Sequence, residues 1–561
     1  MKTLHFNDDY ALLYLDDVDL KDKEIILKSK SFSLIFKRYF KTLKEKESVI
    51  LRSIKGLNVD IITAFYIDLL RYELKTVLRR QNKVTKDHIL PLYELTEGLY
   101  DYWRKFERFA FLNGDTHDVE DLLKLNHDFN DAVIVTYRTI SQKLLGSNFH
   151  VYRQLPAGIS AAMLYRSYKL SHLKDYKAID GIPFITKMVT SPPFIINSKS
   201  NSRKGTFQPL TFSYNPISKL KLNKSDFAAF PIYVGPLLAF VYMHRDFLHH
   251  GIALSNLFEF ADYSAFKDAK PNLIYVFGVE EEMFDSKFYH DTVNDIYLGF
   301  VMKSGENDYF GYLKKMLLTL HNLYMINHDY LPIHGAMVEI TLKPNIKKNV
   351  VIVGDSGAGK SETLEALRQI GSHDIQDIKV IFDDMGTFKL NNNQVVANGT
   401  EIGAFVRLDD LEQGYAYQIM DRALFLNPAL INSRVVIPLS RYQYIIEDHP
   451  IDMVLYANNY EEKQGIRIFK KPEEAMSVFK KGVRMAKGTT NEVGLTQTYF
   501  ANPFGPLQMR AKTDQLIPHY FKALHASGVI LGEIYTNLAV PNEELRGPSN
   551  AAIALLKSLE E

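Results

Sequence analysis

The chain has 561 residues, 46% of them apolar and 24% charged, with a formal net charge of +1 and no cysteine. That length exceeds what one hydrophobic core organises and implies roughly two to four domains. The near-neutral charge gives no general affinity for nucleic acid or an anionic membrane surface, and the lack of Cys excludes disulfides, thiolate zinc sites and thiol catalysis.

The start, MKTLHFNDDYALLYLDD, turns acidic within a few residues and lacks the apolar core of a secretory signal. From residue 35 to about 150, KRYFKTLKEKESVILRSI, DIITAFYIDLLRYELKTVLRR and LYELTEGLYDYWRKFERFAFL space apolar residues three and four apart among charges. This predicts a helical N-terminal region over 1–150, its aromatic stripes, Trp103 included, serving as core. A mixed segment over 151–226 follows. It ends in SPPFIINSKSNSRKGTFQPLTFSYNPISKLKLNKSD (191–226), which is basic until Asp226 and reads as a long exposed loop near a domain boundary. The longest apolar run, FPIYVGPLLAFVYM (230–243), is too short to span a bilayer and contains Pro and Gly, so a cytoplasmic location is expected.

Beyond 330 the pattern becomes strand, loop, helix, strand. AMVEITL and NVVIVG are β-rich, KSETLEALRQI is helical, and IKVIFDD is β-rich again. This alternation predicts a mixed α/β domain over 227–561. Between its second strand and its helix stands GDSGAGKS, which satisfies the phosphate-loop pattern G-x-x-x-x-G-K-[ST]. Gly354, Asp355, Ser356, Gly357, Ala358 and Gly359 form a loop whose backbone N–H groups turn onto phosphate oxygens. Lys360 brings a charge to the β- and γ-phosphates, Ser361 offers a hydroxyl to Mg²⁺, and Glu362 follows in the first helical turn. Asp383 and Asp384 close the next strand, where a phosphate-loop enzyme holds its metal. Adjacent strand residues point to opposite faces, so one of the two is expected to be the direct ligand. His334, in YLPIHGAM, precedes the loop by one strand.

These residues resemble the superfamily that unites HPr kinase/phosphorylase with phosphoenolpyruvate carboxykinase. The segment HGAMVEI…VVIVGDSGAGKSETLEAL…IFDD is similar to HPr kinase. INSRVVIPLSRY (431–442), DMVLYANN (452–459), FKKGVRMAKGTTNEVGLTQTYFANPFGPL (479–507) and GVILGEIYTN (528–537) resemble, in order, segments of the ATP-dependent carboxykinase. The resemblance implies a phosphate-loop domain of that type, with ATP and Mg²⁺ bound by Lys360 and Ser361 and Asp384 as a metal ligand. It also implies His334 at a second site for a transition metal such as Mn²⁺, Arg434 on the transferring phosphoryl group, and a dicarboxylate substrate. The departures are specific. The family's GEMKKG lysines fall on Asp308 and Tyr309 in KSGENDYFGYLKK (303–315), with Lys314 and Lys315 farther on. Its DDEH becomes DDMG with Met385, its TERG arginine aligns with Val493, and the nearest thing to its substrate-clamping RSPKDKF is NSRKGTF with Arg203.

Three functions follow as expectations. The first is decarboxylation of oxaloacetate with transfer of the ATP γ-phosphoryl to the enolate oxygen. The second is an HPr-type kinase of a protein serine or small hydroxyl compound, with Asp383 or Asp384 as base. The third is a nucleotide-binding regulatory protein that has lost catalysis.

Overall fold

A computed structural model of the chain describes residues 5–7, 9–16, 20–146, 158–170, 173–203, 205–343, 346–370, 374–411, 420, 422–486, 494–544 and 546–560. It is a mixed α/β structure in two compact units, Met1–Ser167 with Ile185–Phe194, and Tyr168–Phe184 with Ile195–Glu561. The segment 151–226 is divided between them. Strand Ala161–Arg166 pairs in parallel with Glu107–Asn113 in the first unit. Tyr168, Tyr176 and Ile182 pack with Phe227 and Phe240 in a core of the second. No described helix is long and apolar enough to cross a membrane.

The first unit is not helical throughout. FERFAFLN forms the strand Glu107–Asn113, laid in parallel between Tyr10–Tyr14 and Ala161–Arg166. Its spacing suits either period, and burial from Phe109 to Leu112 decides for strand. Against this sheet pack Lys30–Glu45, Val59–Arg71, Ile89–Arg104 and the long Val119–Leu145, whose Asp118 caps the Asp121 N–H. Phe36, Phe65, Tyr66, Leu92 and Leu95 are buried among them as core, as their helical spacing requires. A largely apolar cavity of about 430 Å³ remains inside, bordered by Leu13, Tyr66, Trp103 and Ile140 among others.

The second unit carries the GDSGAGKS loop, Gly354–Ser361. Strand Ile346–Val353 lies between Leu331–Leu342, antiparallel, and Met453–Asn458, parallel; Ile530–Tyr535 extends the parallel run. Leu331–Leu342, Met453–Asn458 and the second part of Ile346–Val353 are buried on both faces, which explains their nearly continuous apolar letters. Helix Lys360–Ile370 and the final helix Arg546–Glu560 cover one face through Leu364, Leu367, Leu555 and Leu559. The helix Arg510–Ala526 covers the other through Leu516, Ile517 and Phe521. Leu331–Leu342 continues past Ile346–Val353 to pair with Met385–Asn391, placing His334 opposite Met385 and Gly335 opposite Val353. A Cβ on Gly335 would stand 2.6 Å from the Ile352 carbonyl oxygen, so glycine permits this close crossing. A second sheet, with Phe227–Val234, Leu237–His244, Leu273–Val279 and Ile296–Met302, backs the buried helix Phe310–Asn327.

Candidate phosphoryl-transfer site

The phosphate loop turns between Val353 and Lys360 with Gly357 and Gly359 at positive φ (79° and 89°). Neighbouring strand ends fix its carbonyls. Thr536 Oγ1 donates to Ala358 O (2.8 Å), and Asn459 Nδ2 donates to Gly357 O (2.9 Å). Lys360 is buried, and its Nζ donates to Gly354 O at 2.6 Å and Asp355 O at 3.2 Å. Ser356 and Ser361 are exposed at the mouth, and Glu362 is half-buried in the first helical turn. Asp355 is held from three sides. Its carboxylate accepts from the Ser356 N–H (2.8 Å) and Thr498 Oγ1 (2.8 Å), and it pairs with Arg484 Nε (3.1 Å). Burial raises its pKa, but the charges of His334 and Arg484 outweigh this and hold it below the ordinary carboxylate value.

The aspartate pair lies at the corner between strands Ile375–Phe382 and Met385–Asn391 rather than within a strand. The alternation argument therefore does not apply, and both carboxylates have site partners. Asp383 accepts from Ser361 Oγ (3.3 Å), the hydroxyl and carboxylate pair that suits Mg²⁺ beside a phosphate loop. Burial, with the Asp384 charge next to it, pushes Asp383 up to about 6. Asp384 faces elsewhere: Oδ1 is 3.0 Å from His334 Nε2, and Oδ2 accepts from Lys314 Nζ at 2.6 Å. Burial would raise Asp384, yet Lys314 and His334 hold it well below the carboxylate range.

The tautomer of His334 follows from its other nitrogen. Nδ1 lies 2.8 Å from the Ala501 carbonyl, which can only accept, so Nδ1 carries hydrogen. Nε2 is left facing Asp384, and a metal that displaces any proton there finds a lone pair on each atom. Two lone-pair atoms at this distance fit a shared cation, which makes imidazole plus carboxylate a donor set for a transition metal. The carbonyl is aimed by Phe500 and Ala501, buried residues both in the left-handed region (φ 56° and 50°).

Lys314 sits on the buried helix Phe310–Asn327, with Nζ also 2.8 Å from Glu401 Oε1. Burial disfavours its charge, but two carboxylates more than compensate and its pKa is raised. Glu401 is pushed up to about 7, by burial against the pull of Lys314. Lys315 is lowered by burial, with Asp384, Asp355, Arg434 and Lys314 acting on its charge, so both lysines belong to this site. Lys314 of GYLKK, rather than Asp308 or Tyr309, thus meets Asp384. Arg434 opens strand Arg434–Pro438 with its guanidinium 5.6 Å from the Phe405 ring centroid, and Lys314 Nζ is 5.7 Å from the same ring. Burial raises the pKa of Tyr309, and Arg434 and Asn432 beside its phenol partly offset that rise. The basic loop packs alongside, with Asn432 Nδ2 donating to Asn201 O (2.9 Å). Arg203 is engaged with Asn307 (2.8 Å) and Asp285 (3.4 Å). Met385 is buried in the core, and Val493 lies outside the described residues.

Lys314 and Tyr309 entered the sequence reading only through the departure from the GEMKKG motif. Glu401 and Arg484 were not singled out there and join the site only through folding. No protein-family model and no curated protein matches this chain.

Proposed function

We propose that the protein is an ATP- and divalent-metal-dependent phosphoryl transferase of the carboxykinase kind. In this reaction the C–C bond to the departing carboxylate of oxaloacetate breaks to give CO₂. The resulting enolate oxygen then takes the γ-phosphoryl of ATP, leaving phosphoenolpyruvate and ADP. The observation that carries the reading is the convergence of His334 Nε2 (3.0 Å) and Lys314 Nζ (2.6 Å) on Asp384, beside a separate Ser361–Asp383 pair. One hydroxyl and carboxylate pair suits Mg²⁺ on a nucleotide; a second set with imidazole suits a softer ion such as Mn²⁺. Bound there, the ions would supply charge to an enolate and to the transferring phosphoryl group.

The chain's own groups complement this. The loop amides and Lys360 hold the β- and γ-phosphates, while Arg434, with Tyr309 beside it, offers a planar fork to an oxyanion. Decarboxylation creates the nucleophile, so no base is needed to deprotonate the acceptor. The HPr-kinase-like reading does need one. Asp383, shifted to about 6, is the observation in its favour.

The test is a coupled assay with ATP, Mg²⁺, Mn²⁺ and oxaloacetate that follows phosphoenolpyruvate, with Lys360→Ala as control. Product that disappears in the variant supports the carboxykinase reading. Intact ATP binding without product rejects it and directs the search to hydroxyl acceptors.

A further inference from the structure

Outside the phosphate site, a second group of metal-ligating side chains is buried in the same unit. His249 and His250 lie in the first turn of helix Leu248–Leu257, and Asp308 lies in the turn before helix Phe310–Asn327. All three are buried, at 5%, 0% and 3% exposure. Both imidazoles reach one carboxylate oxygen: His249 Nε2 is 3.1 Å and His250 Nε2 2.8 Å from Asp308 Oδ1. The other oxygen accepts the Lys199 backbone N–H at 2.7 Å, which fixes the carboxylate's orientation. Apolar rings stand around the cluster, Phe277 and Phe310 having centroids 6.4 and 6.1 Å from that of His250.

We infer that His249, His250 and Asp308 form a site for a divalent transition metal, zinc or a close neighbour, bound through the two Nε2 atoms and Oδ1. Tetrahedral bonds of about 2.0–2.1 Å place ligand atoms roughly 3.3 Å apart. The observed separations lie a few tenths of an ångström below that, a difference small rotations of the rings remove. Two imidazoles and one carboxylate suit zinc and its neighbours over Mg²⁺ or Ca²⁺. A backbone amide on the outer carboxylate oxygen is the kind of contact that orients a metal ligand. Three titratable groups in an apolar surround are costly to bury, and a divalent ion offsets much of that cost. The ion ties together the helix at 248–257, the turn at 305–309 and the basic loop at Lys199. Because Tyr309 follows Asp308 directly, the same staple fixes the residue beside Arg434. This site is distinct from the His334–Asp384 set and stands whether or not the carboxykinase reading does.

The experiment is metal analysis of the full chain purified without chelator, as wild type, Asp308→Asn, His250→Gln and Asp384→Asn. The expected result is about one tightly held zinc equivalent in wild type and Asp384→Asn. Asp308→Asn and His250→Gln should lose it, with affinity falling at least as far as the roughly 10–100-fold that loss of an outer-shell partner costs. No retained metal in wild type, or equal retention in Asp308→Asn and His250→Gln, overturns the site and leaves a hydrogen-bonded cluster. If those variants fail to fold, X-ray absorption of the zinc-loaded wild type decides. Two imidazole ligands support this site, and one or none overturns it.

Discussion

Lys314 and Asp384, 70 residues apart in sequence, meet as an ion pair with Nζ 2.6 Å from Oδ2. Glu401 completes a triad around the same ammonium at 2.8 Å. Removing the cation leaves Asp384 and the buried Glu401 without the charge they share. Lys314→Met should therefore cost about 3–5 kcal/mol of unfolding free energy in urea titrations. Adding Glu401→Gln removes one of the stranded charges, so the double variant should recover a clear part of that loss. Equal stability of the single and double variants would show that the triad is not energetically coupled.

Glu401 of the triad and the neighbouring Asp383 set a pH dependence with a definite sign. Glu401 moves from an ordinary 4.5 up to about 7 on folding, and Asp383 from 3.8 up to about 6. A carboxyl group whose folded pKa is raised contributes its stability below the unfolded value and loses it as pH climbs through the folded one. The wild-type urea midpoint should thus carry a falling component between about pH 4.5 and 7. In Glu401→Gln that component should shrink, making the profile flatter. An unchanged slope in the variant would mean that Glu401 is ionised in the folded protein across this range.

At the loop, Gly359 has φ 89° and a Cβ there would lie 2.6 Å from Thr536 Oγ1. Gly359→Ala meets both the backbone and the steric problem, and should lose about 1–3 kcal/mol together with ATP affinity. Thr536→Ala removes only the hydrogen bond to Ala358 O (2.8 Å) and should cost nearer 1 kcal/mol. Calorimetric ATP titration and urea unfolding of both variants check this. Wild-type binding by Gly359→Ala would contradict the loop geometry.

The contrast between these sites explains what could be read from the letters. A phosphate-loop pattern is built on consecutive backbone amides, so Gly354 to Ser361 is written contiguously, and its flanking strand and helix follow with it. The set around Asp384 is assembled from helix Phe310–Asn327, strand Leu331–Leu342 and the turn holding Glu401. No local pattern joins Glu401 to Lys314. Arg484 meets Asp355 only because Thr498 and the strand Val483–Met485 fold back over the loop. In the first unit, RFAFL satisfied helical spacing but became a strand, since a short apolar run is ambiguous until its neighbours are known.

Arg434 provides the sharpest test of the chemistry. Its guanidinium lies against Phe405, with the Tyr309 phenol beside it. Arg434→Lys keeps the charge but loses the planar fork, so under the carboxykinase reading kcat should fall roughly 10²–10³-fold while ATP affinity stays near wild type. Tyr309→Phe removes only the hydroxyl beside the arginine and should lower kcat less. The two substitutions act on one element, so the double variant should be little worse than Arg434→Lys alone. Steady-state kinetics on the four proteins measures this. Fully additive losses would place Tyr309 in direct contact with substrate instead, and full activity in Arg434→Lys would remove the arginine from the transfer step.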